Sequence, residues 1–133
     1  MASWRLMNRE THRLVVAELD VAAGFWSRLR GWQFRSRPAT GSGLLLAPCA
    51  SIHTCWMRFA LDIVWLDREG TVLAVGRGVR PWRLALAPRA TLAVLEVPAG
   101  EAAQIHVGAR LQLAAQEPAS CNNLPSCLRH LAC

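Results

Sequence analysis

The segment "DIVWLDREGTVLAV", residues 62–75, constrains the fold more than any other part of the sequence. Two runs rich in β-branched and apolar residues flank Asp67-Arg68-Glu69-Gly70, and Gly70 is able to adopt the left-handed conformation of a hairpin bulge. This pattern predicts two antiparallel strands joined by a tight turn. The chain is therefore expected to build a β-sheet around this hairpin.

Short apolar runs elsewhere, bounded by Gly, Pro or charged residues, predict further strands at residues 13–19, 43–48, 51–57, 90–98 and 109–115. We read residues 51–57 and 62–67 as neighbouring strands joined by the turn "RFAL". One helix is predicted over residues 21–34, with Asp20 as its cap and Phe25, Leu29 and Trp32 on one face. This succession is typical of a compact, mostly β (α+β) domain.

Length and composition indicate one globular domain. The chain has 133 residues, of which 53% are hydrophobic and 18% charged. Residues 1–12 are interpreted as an N-terminal extension, residues 13–114 as a single β-rich domain, and residues 115–133 as a Cys-containing tail. No apolar run reaches the length of a membrane span, and arginines interrupt the N-terminus, so we expect a cytoplasmic protein without a membrane partner.

The net charge of +6 is carried by fifteen arginines, because the chain has no lysine. Arginines alternate with tryptophans in "RLRGWQFRSR" and "RGVRPWR", a combination that a single-stranded nucleic-acid groove would use. A solvated arginine face, or coding bias in a GC-rich genome, explains the same composition. A nucleic-acid-binding module therefore remains an alternative.

The segment "CASIHTCWMRFALDIVWLD", residues 49–67, concentrates the reactive side chains. One hypothesis is a Cys-dependent hydrolase or transferase, with Cys49 as nucleophile, His53 as base and Asp62 orienting the imidazole across the strand turn. Nothing in the sequence marks an oxyanion hole, so we favour a non-catalytic ligand site. Its residues would be His53, Thr54, Arg58 and Asp62, with Arg58 fixing an anionic group.

Two groups of Cys and His residues are candidate metal sites. Cys49, His53 and Cys55 lack a local fourth ligand, which favours buried thiols over zinc. In the tail, Cys121, Cys127, His130 and Cys133 would form a tetrahedral zinc set, but their spacing matches no standard pattern. We favour a disordered or weakly docked tail and no cofactor.

Glu96 interrupts the apolar run "LAVLEVP" and is expected to point outward or to pair with Arg58 or Arg110.

The motifs "SIHTCWMRFALDIVWLDREGTVLAV", "VLEVPAG" and "VGARL", with "RLRGWQF" upstream, resemble the bacterial family called domain of unknown function 192. The resemblance covers about Leu14 to Leu113. It implies a small barrel-like antiparallel β domain with one short flanking helix, and it implies no activity. The sequence thus predicts a small accessory module that binds a small ligand or a protein partner.

Overall fold

The structure, a computed structural model, describes residues 4–22, 38–49, 52–53, 57–116 and 124–132. Nine strands lie in these ranges: β1 Trp4–Asn8, β2 Leu14–Ala22, β3 Ser42–Leu46, β4 Ile52–His53, β5 Leu61–Leu66, β6 Val72–Val79, β7 Leu84–Ala85, β8 Ala93–Pro98 and β9 Leu111–Ala115. The helical content of the same ranges is one 3-10 helix, Ser126–Leu131. None of the described helical segments is long and apolar enough to cross a membrane.

Seven strands form a single curled sheet, a half-barrel, in the order β6-β5-β8-β3-β2-β1-β9. The mostly β, barrel-like prediction is therefore confirmed. Neighbouring strands are antiparallel, except that β2 and β3 run parallel. β4 and β7 form a separate two-stranded sheet.

The predicted hairpin is present between β5 and β6. One carboxylate oxygen of Asp67 accepts hydrogen bonds from the backbone N–H groups of Glu69 and Thr71, both at 2.9 Å. Gly70 has a φ of 80°, and a Cβ at this position would lie 2.4 Å from the carbonyl oxygen of Leu111. Both the turn conformation and the approach of β9 therefore require glycine here.

The described residues do not form the second predicted hairpin, between residues 51–57 and 62–67. β4 pairs with β7, where His53 lies opposite Leu84. β5 instead lies between β6 and β8, and all six of its residues are buried. β6 and β8, which are both longer than β4, occupy the two edges of β5. β4 therefore has no edge of β5 with which to pair.

The chain termini contribute more to the domain than the sequence indicates. β1, which falls in the predicted N-terminal extension, lies between β2 and β9 and buries Trp4 and Leu6. In the predicted tail, Leu124 and Leu128 pack into the main apolar core. The expectation of a weakly docked tail is wrong for residues 124–132, because these leucines cover the core from outside the sheet.

Asp20 is not the cap of the predicted helix, because Asp20 to Ala22 continue β2. These residues pair with Leu44 to Leu46 of β3, and the pairing extends the strand past the predicted cap. The remainder of the predicted helix lies outside the described residues.

Two apolar clusters lie on opposite sides of the sheet. Alternate residues of β5 and β8 face each cluster, which explains why all residues of both strands are buried. One cluster includes Leu95, Val97 and the C-terminal leucines. The other includes Ile63, Val94 and Trp65, with the partly buried Cys49, Phe59, Ala85 and Ala87 packed against it.

Candidate functional site

Asp62 is the buried carboxylate that organises one end of the half-barrel. The residue is only 1% exposed. Its Oδ1 accepts the backbone N–H of Gly78 at 2.8 Å, and its Oδ2 accepts those of Gly100 at 3.0 Å and Ala102 at 3.1 Å. These three charge-assisted hydrogen bonds tie β5 to the end of β6 and to the turn that follows β8.

Arg77 reinforces the same region from the surface. Its guanidinium donates to the carbonyl oxygens of Ala102 at 2.6 Å and Ile105 at 2.8 Å. Because the guanidinium is planar and rigid, two hydrogen bonds fix its position as well as the backbone of the 102–105 segment. Arg77 itself is exposed, so its charge faces solvent.

An open depression of about 480 Å³ lies between these groups. It is lined by Asp62, Arg77, Gly78, Gly100 and Ala103. Gly78 and Gly100 have positive φ values of 60° and 91°, and a Cβ at either position would meet no atom within 4 Å. The two glycines thus provide the turn conformations while leaving the depression open.

The predicted site residues are distributed unevenly around this depression. Of the predicted ligand set His53, Thr54, Arg58 and Asp62, Asp62 lines the depression. Arg58 is exposed in the segment before β5, and the backbone of His53 lies in β4. The side chain of His53 and the whole of Thr54 lie outside the described residues. Their role in binding stays a prediction.

Cys49, the predicted nucleophile, lies just after β3. Its thiol is not part of a disulfide; the residue is half-buried and packs against the second apolar cluster. Its backbone N–H donates to the carbonyl of Leu92 at 2.7 Å. The hairpin that would bring His53 opposite Asp62 is absent, and the described hydrogen bonds of Asp62 all come from backbone N–H groups. Asp62 therefore resembles the backbone-binding carboxylate that is common at turns.

Glu96 is a second buried acid, and its environment differs from that of Asp62. It lies on central strand β8, between Leu44 of β3 and Ile63 of β5, and is only 5% exposed. Its Oε2 has no hydrogen-bond partner among the residues described. Burial raises the pKa of Glu96 from 4.5 to about 7. The predicted outward orientation is wrong, because β8 has neighbours on both edges and apolar clusters on both faces.

The predicted arginine partners of Glu96 lie elsewhere. Arg110 is 3.6 Å from Glu69, measured between Nη2 and Oε2, and Arg58 is exposed. Neither arginine pairs with Glu96 in the described part of the chain. An ion pair of Glu96 with Arg58 or Arg110 is therefore not part of the described structure, and desolvation by burial raises the pKa of Glu96.

Two of the four residues of the predicted zinc site in the tail, Cys127 and His130, are described. Cys127 has a free thiol packed against the main core, and the His130 ring donates through Nε2 to the carbonyl of Arg68. Cys121 and Cys133 lie outside the described residues. Within the described ranges, no three His, Cys, Asp or Glu side chains are grouped closely enough to hold a metal ion. Zinc at Cys121, Cys127, His130 and Cys133 stays an untested prediction, as does zinc at Cys49, His53 and Cys55.

Arg77 is the site residue that sequence reasoning missed. It appears in the sequence as one of many arginines in "RGRGVRPWR". Its carbonyl partners lie 25 and 28 residues further along the chain, so no local pattern marks it. The neighbouring Gly78, with its required positive φ, is the nearest sequence signal for a special backbone conformation here.

The fold and site define a class of protein: a small β half-barrel whose sheet end carries a carboxylate-organised depression with an exposed arginine. The chain belongs to the DUF192 family (Uncharacterized ACR, COG1430), whose model matches residues 6–113. The resemblance seen in the sequence is thereby confirmed. The tail that contributes Leu124 and Leu128 lies beyond the matched residues.

One curated relative and two solved structures are similar to this chain. UPF0127 protein PYRAB11210 of Pyrococcus abyssi is 34% identical, over 71% of this chain and 85% of its own length. A crystal structure of a protein of unknown function from Novosphingobium aromaticivorans superimposes with a TM-score of 0.71 at 20% identity, covering 83% of each chain. A Sinorhizobium meliloti structure gives the same TM-score and identity, covering 84% of this chain and 92% of its own. At such identities the structures show a shared fold alone.

Proposed function

We propose that this chain is a non-catalytic module of the cytoplasm that binds a small anionic ligand at the Asp62 depression. One observation carries the proposal: Arg77 is an exposed, rigidly held guanidinium at the wall of an open cavity. The described residues use two of its five N–H groups, which leaves three for a carboxylate or phosphate oxygen.

The charge that a ligand would meet in the depression is positive. Both oxygens of Asp62 are occupied by backbone donors and the residue is 1% exposed, so its negative charge is largely compensated. Arg77 is exposed and pre-organised by two carbonyl groups. A fixed donor loses little conformational entropy on binding, which favours affinity for a ligand of complementary charge.

The same geometry supports binding over catalysis. In a Cys–His–Asp mechanism the carboxylate must accept a hydrogen bond from the imidazole. Three backbone donors take three of the roughly four acceptor sites of the Asp62 carboxylate. The residue is also only 1% exposed, which leaves little room for the imidazole that the alternative with Cys49, His53 and Asp62 requires.

Calorimetric titration with inorganic phosphate and with citrate tests the proposal. We expect saturable binding of at least one anion to the wild-type chain and a loss of at least ~10-fold in affinity in Arg77→Gln. Arg77→Lys keeps the charge without the fork geometry and should bind with intermediate affinity. Arg13→Gln, an exposed arginine in the β1–β2 turn, is the matched control and should bind like wild type.

Two results would refute the proposed function. One is the absence of binding by either anion in wild type, and the other is equal affinity in wild type and Arg77→Gln. Thermal melting of each variant verifies that it is folded, which we expect because Arg77 and Arg13 are both exposed.

A further inference from the structure

Residues 80–89, here called the Trp82 segment, display apolar side chains to solvent in an unusual concentration. Trp82, Leu84 and Leu86 are 55%, 70% and 73% exposed. They alternate with Ala85 and Ala87, which pack against the second apolar cluster. The three large side chains therefore point away from the core.

This display is specific to one place on the described surface. The other exposed large apolar side chains are Leu14 and Val107, each by itself. Scattered single residues of that kind are normal, whereas contiguous apolar side chains indicate an interaction surface. Trp82 also has a φ of 64°, a left-handed conformation that is costly for a bulky residue. Trp82 adopts this strained conformation and is nevertheless 55% exposed.

The charged residues within the Trp82 segment are all arginines. Arg80, Arg83 and Arg89 are exposed, and the sequence contains no acidic residue between Glu69 and Glu96. The guanidinium of Arg83 donates long hydrogen bonds to the carbonyl oxygens of Pro81 and Trp82, at 3.5 and 3.4 Å. These contacts keep a positive charge beside the backbone that carries the indole.

We infer that the Trp82 segment docks onto an anionic phospholipid surface, a property beyond the proposed ligand binding and independent of it. Tryptophan and leucine would enter the interfacial zone, while arginines would contact the phosphate groups of the lipids. Protein surfaces that dock onto membranes combine an amphipathic aromatic ring, aliphatic side chains and a polybasic rim.

The segment fits a lipid surface better than a protein or a nucleic acid. Three side chains offer on the order of a few hundred Å², below the ~800 Å² per partner of a standard protein interface. Pro81 and Pro88 flank the two-residue strand β7, which limits pairing with a strand from another chain. A nucleic-acid groove relies on several stacked aromatic side chains, whereas two of the three exposed groups here are leucines.

Vesicle co-sedimentation of the full chain tests the inference. We expect binding to phosphatidylglycerol vesicles that is much tighter than binding to phosphatidylcholine vesicles and is weakened by salt. The triple variant Trp82→Ser/Leu84→Ser/Leu86→Ser should lower the partition coefficient at least ~10-fold. Arg80→Gln/Arg83→Gln/Arg89→Gln should lower it by on the order of 100-fold.

Two matched controls separate this surface from general hydrophobicity and charge. Val107→Ser removes an equally exposed apolar side chain elsewhere, and Arg5→Gln/Arg9→Gln/Arg13→Gln removes three exposed charges from the β1–β2 region. Both should retain at least half of the wild-type binding to phosphatidylglycerol, which supports a localised surface. Circular dichroism melting verifies that every variant is folded.

Each of four results would overturn the inference. Wild type could leave phosphatidylglycerol vesicles unbound, or the triple serine variant could bind them like wild type. A single-stranded oligonucleotide could bind through the same residues while vesicles do not, which would make the segment a nucleic-acid surface. Finally, wild type could dimerise through this segment without binding vesicles, which would assign the surface to a second copy of the chain.

Discussion

Replacing Glu96 with glutamine should change how the stability of this protein depends on pH. Glu96 lies between Leu44 and Ile63 on central strands, and burial raises its pKa from 4.5 to about 7. The native state therefore keeps the proton in a range where the unfolded chain has released it. Glutamine has nearly the same shape and is neutral at every pH.

The sign and size of the effect follow from this difference in proton binding. Below about pH 4.5, Glu96 is protonated in both states and contributes no pH dependence. As the pH rises from there to about 7, the unfolded state loses its proton first, so the wild-type protein becomes less stable. At 1.36 kcal/mol per pKa unit, the loss is of the order of 3 kcal/mol and is complete above about pH 7.

Urea denaturation between about pH 4 and about pH 8.5 measures the effect as the free energy of unfolding of wild type minus that of Glu96→Gln. Taking this difference cancels the titration of all other groups. It should become more negative by roughly 3 kcal/mol across the range. The buried amide adds a constant offset, which leaves the slope unaffected. Glu10→Gln, at an exposed position in the β1–β2 turn, is the matched control.

If the difference in the free energy of unfolding between wild type and Glu96→Gln did not change with pH, the carboxyl group would be solvated in the native state. That result would contradict the burial of Glu96. A difference of the opposite sign would also refute the reasoning. That result would require a cation that holds Glu96 ionised in the folded protein.

Four further predictions address the site and the core. Asp62→Asn replaces one accepting oxygen with a donor and should lower the free energy of unfolding by about 2–3 kcal/mol in urea titrations. An unchanged free energy of unfolding would contradict the three backbone hydrogen bonds. Gly70→Ala should destabilise by more than ~1 kcal/mol, because its Cβ would lie 2.4 Å from the Leu111 oxygen; an unchanged melting temperature would count against the turn geometry. Leu128→Ala should cost about 2–5 kcal/mol if the tail is part of the core, and no loss of stability would mean that the tail is undocked. Cys49 should react with iodoacetamide more slowly in the native protein than in urea, as followed by mass spectrometry; faster native labelling would favour the Cys-dependent enzyme.

Features governed by local chemistry could be predicted from the sequence. The β5–β6 turn depends on Asp67, Gly70 and Thr71, which lie within five residues of one another. The strand at residues 93–98 could also be recognised, because a continuous apolar run is typical of a strand buried on both faces.

Features set by competition between distant segments could not be predicted in this way. The pairing of β4 with β7 depends on β6 and β8 having occupied both edges of β5. The roles of Asp62 and Arg77 depend on backbone groups 16 to 40 residues away.

The missed strand β1 did have a local signal. Trp4 and Leu6 alternate with Arg5 and Met7, as expected for a strand with one buried face. Arg5 and Arg9 interrupt this apolar pattern and weaken the signal. The sequence also marks Glu96 as unusual, but its orientation depends on β8 being central in the sheet.

The central claim, that the Asp62 depression binds a small anion, is tested most directly by amide NMR of the isotopically labelled chain during a citrate titration. We expect saturable shifts of the Gly78, Gly100 and Ala103 amide resonances in wild type, and their absence in Arg77→Gln. Saturable shifts confined to other residues, such as those around Arg9 and Arg110, would contradict it, as would the absence of any saturable shift.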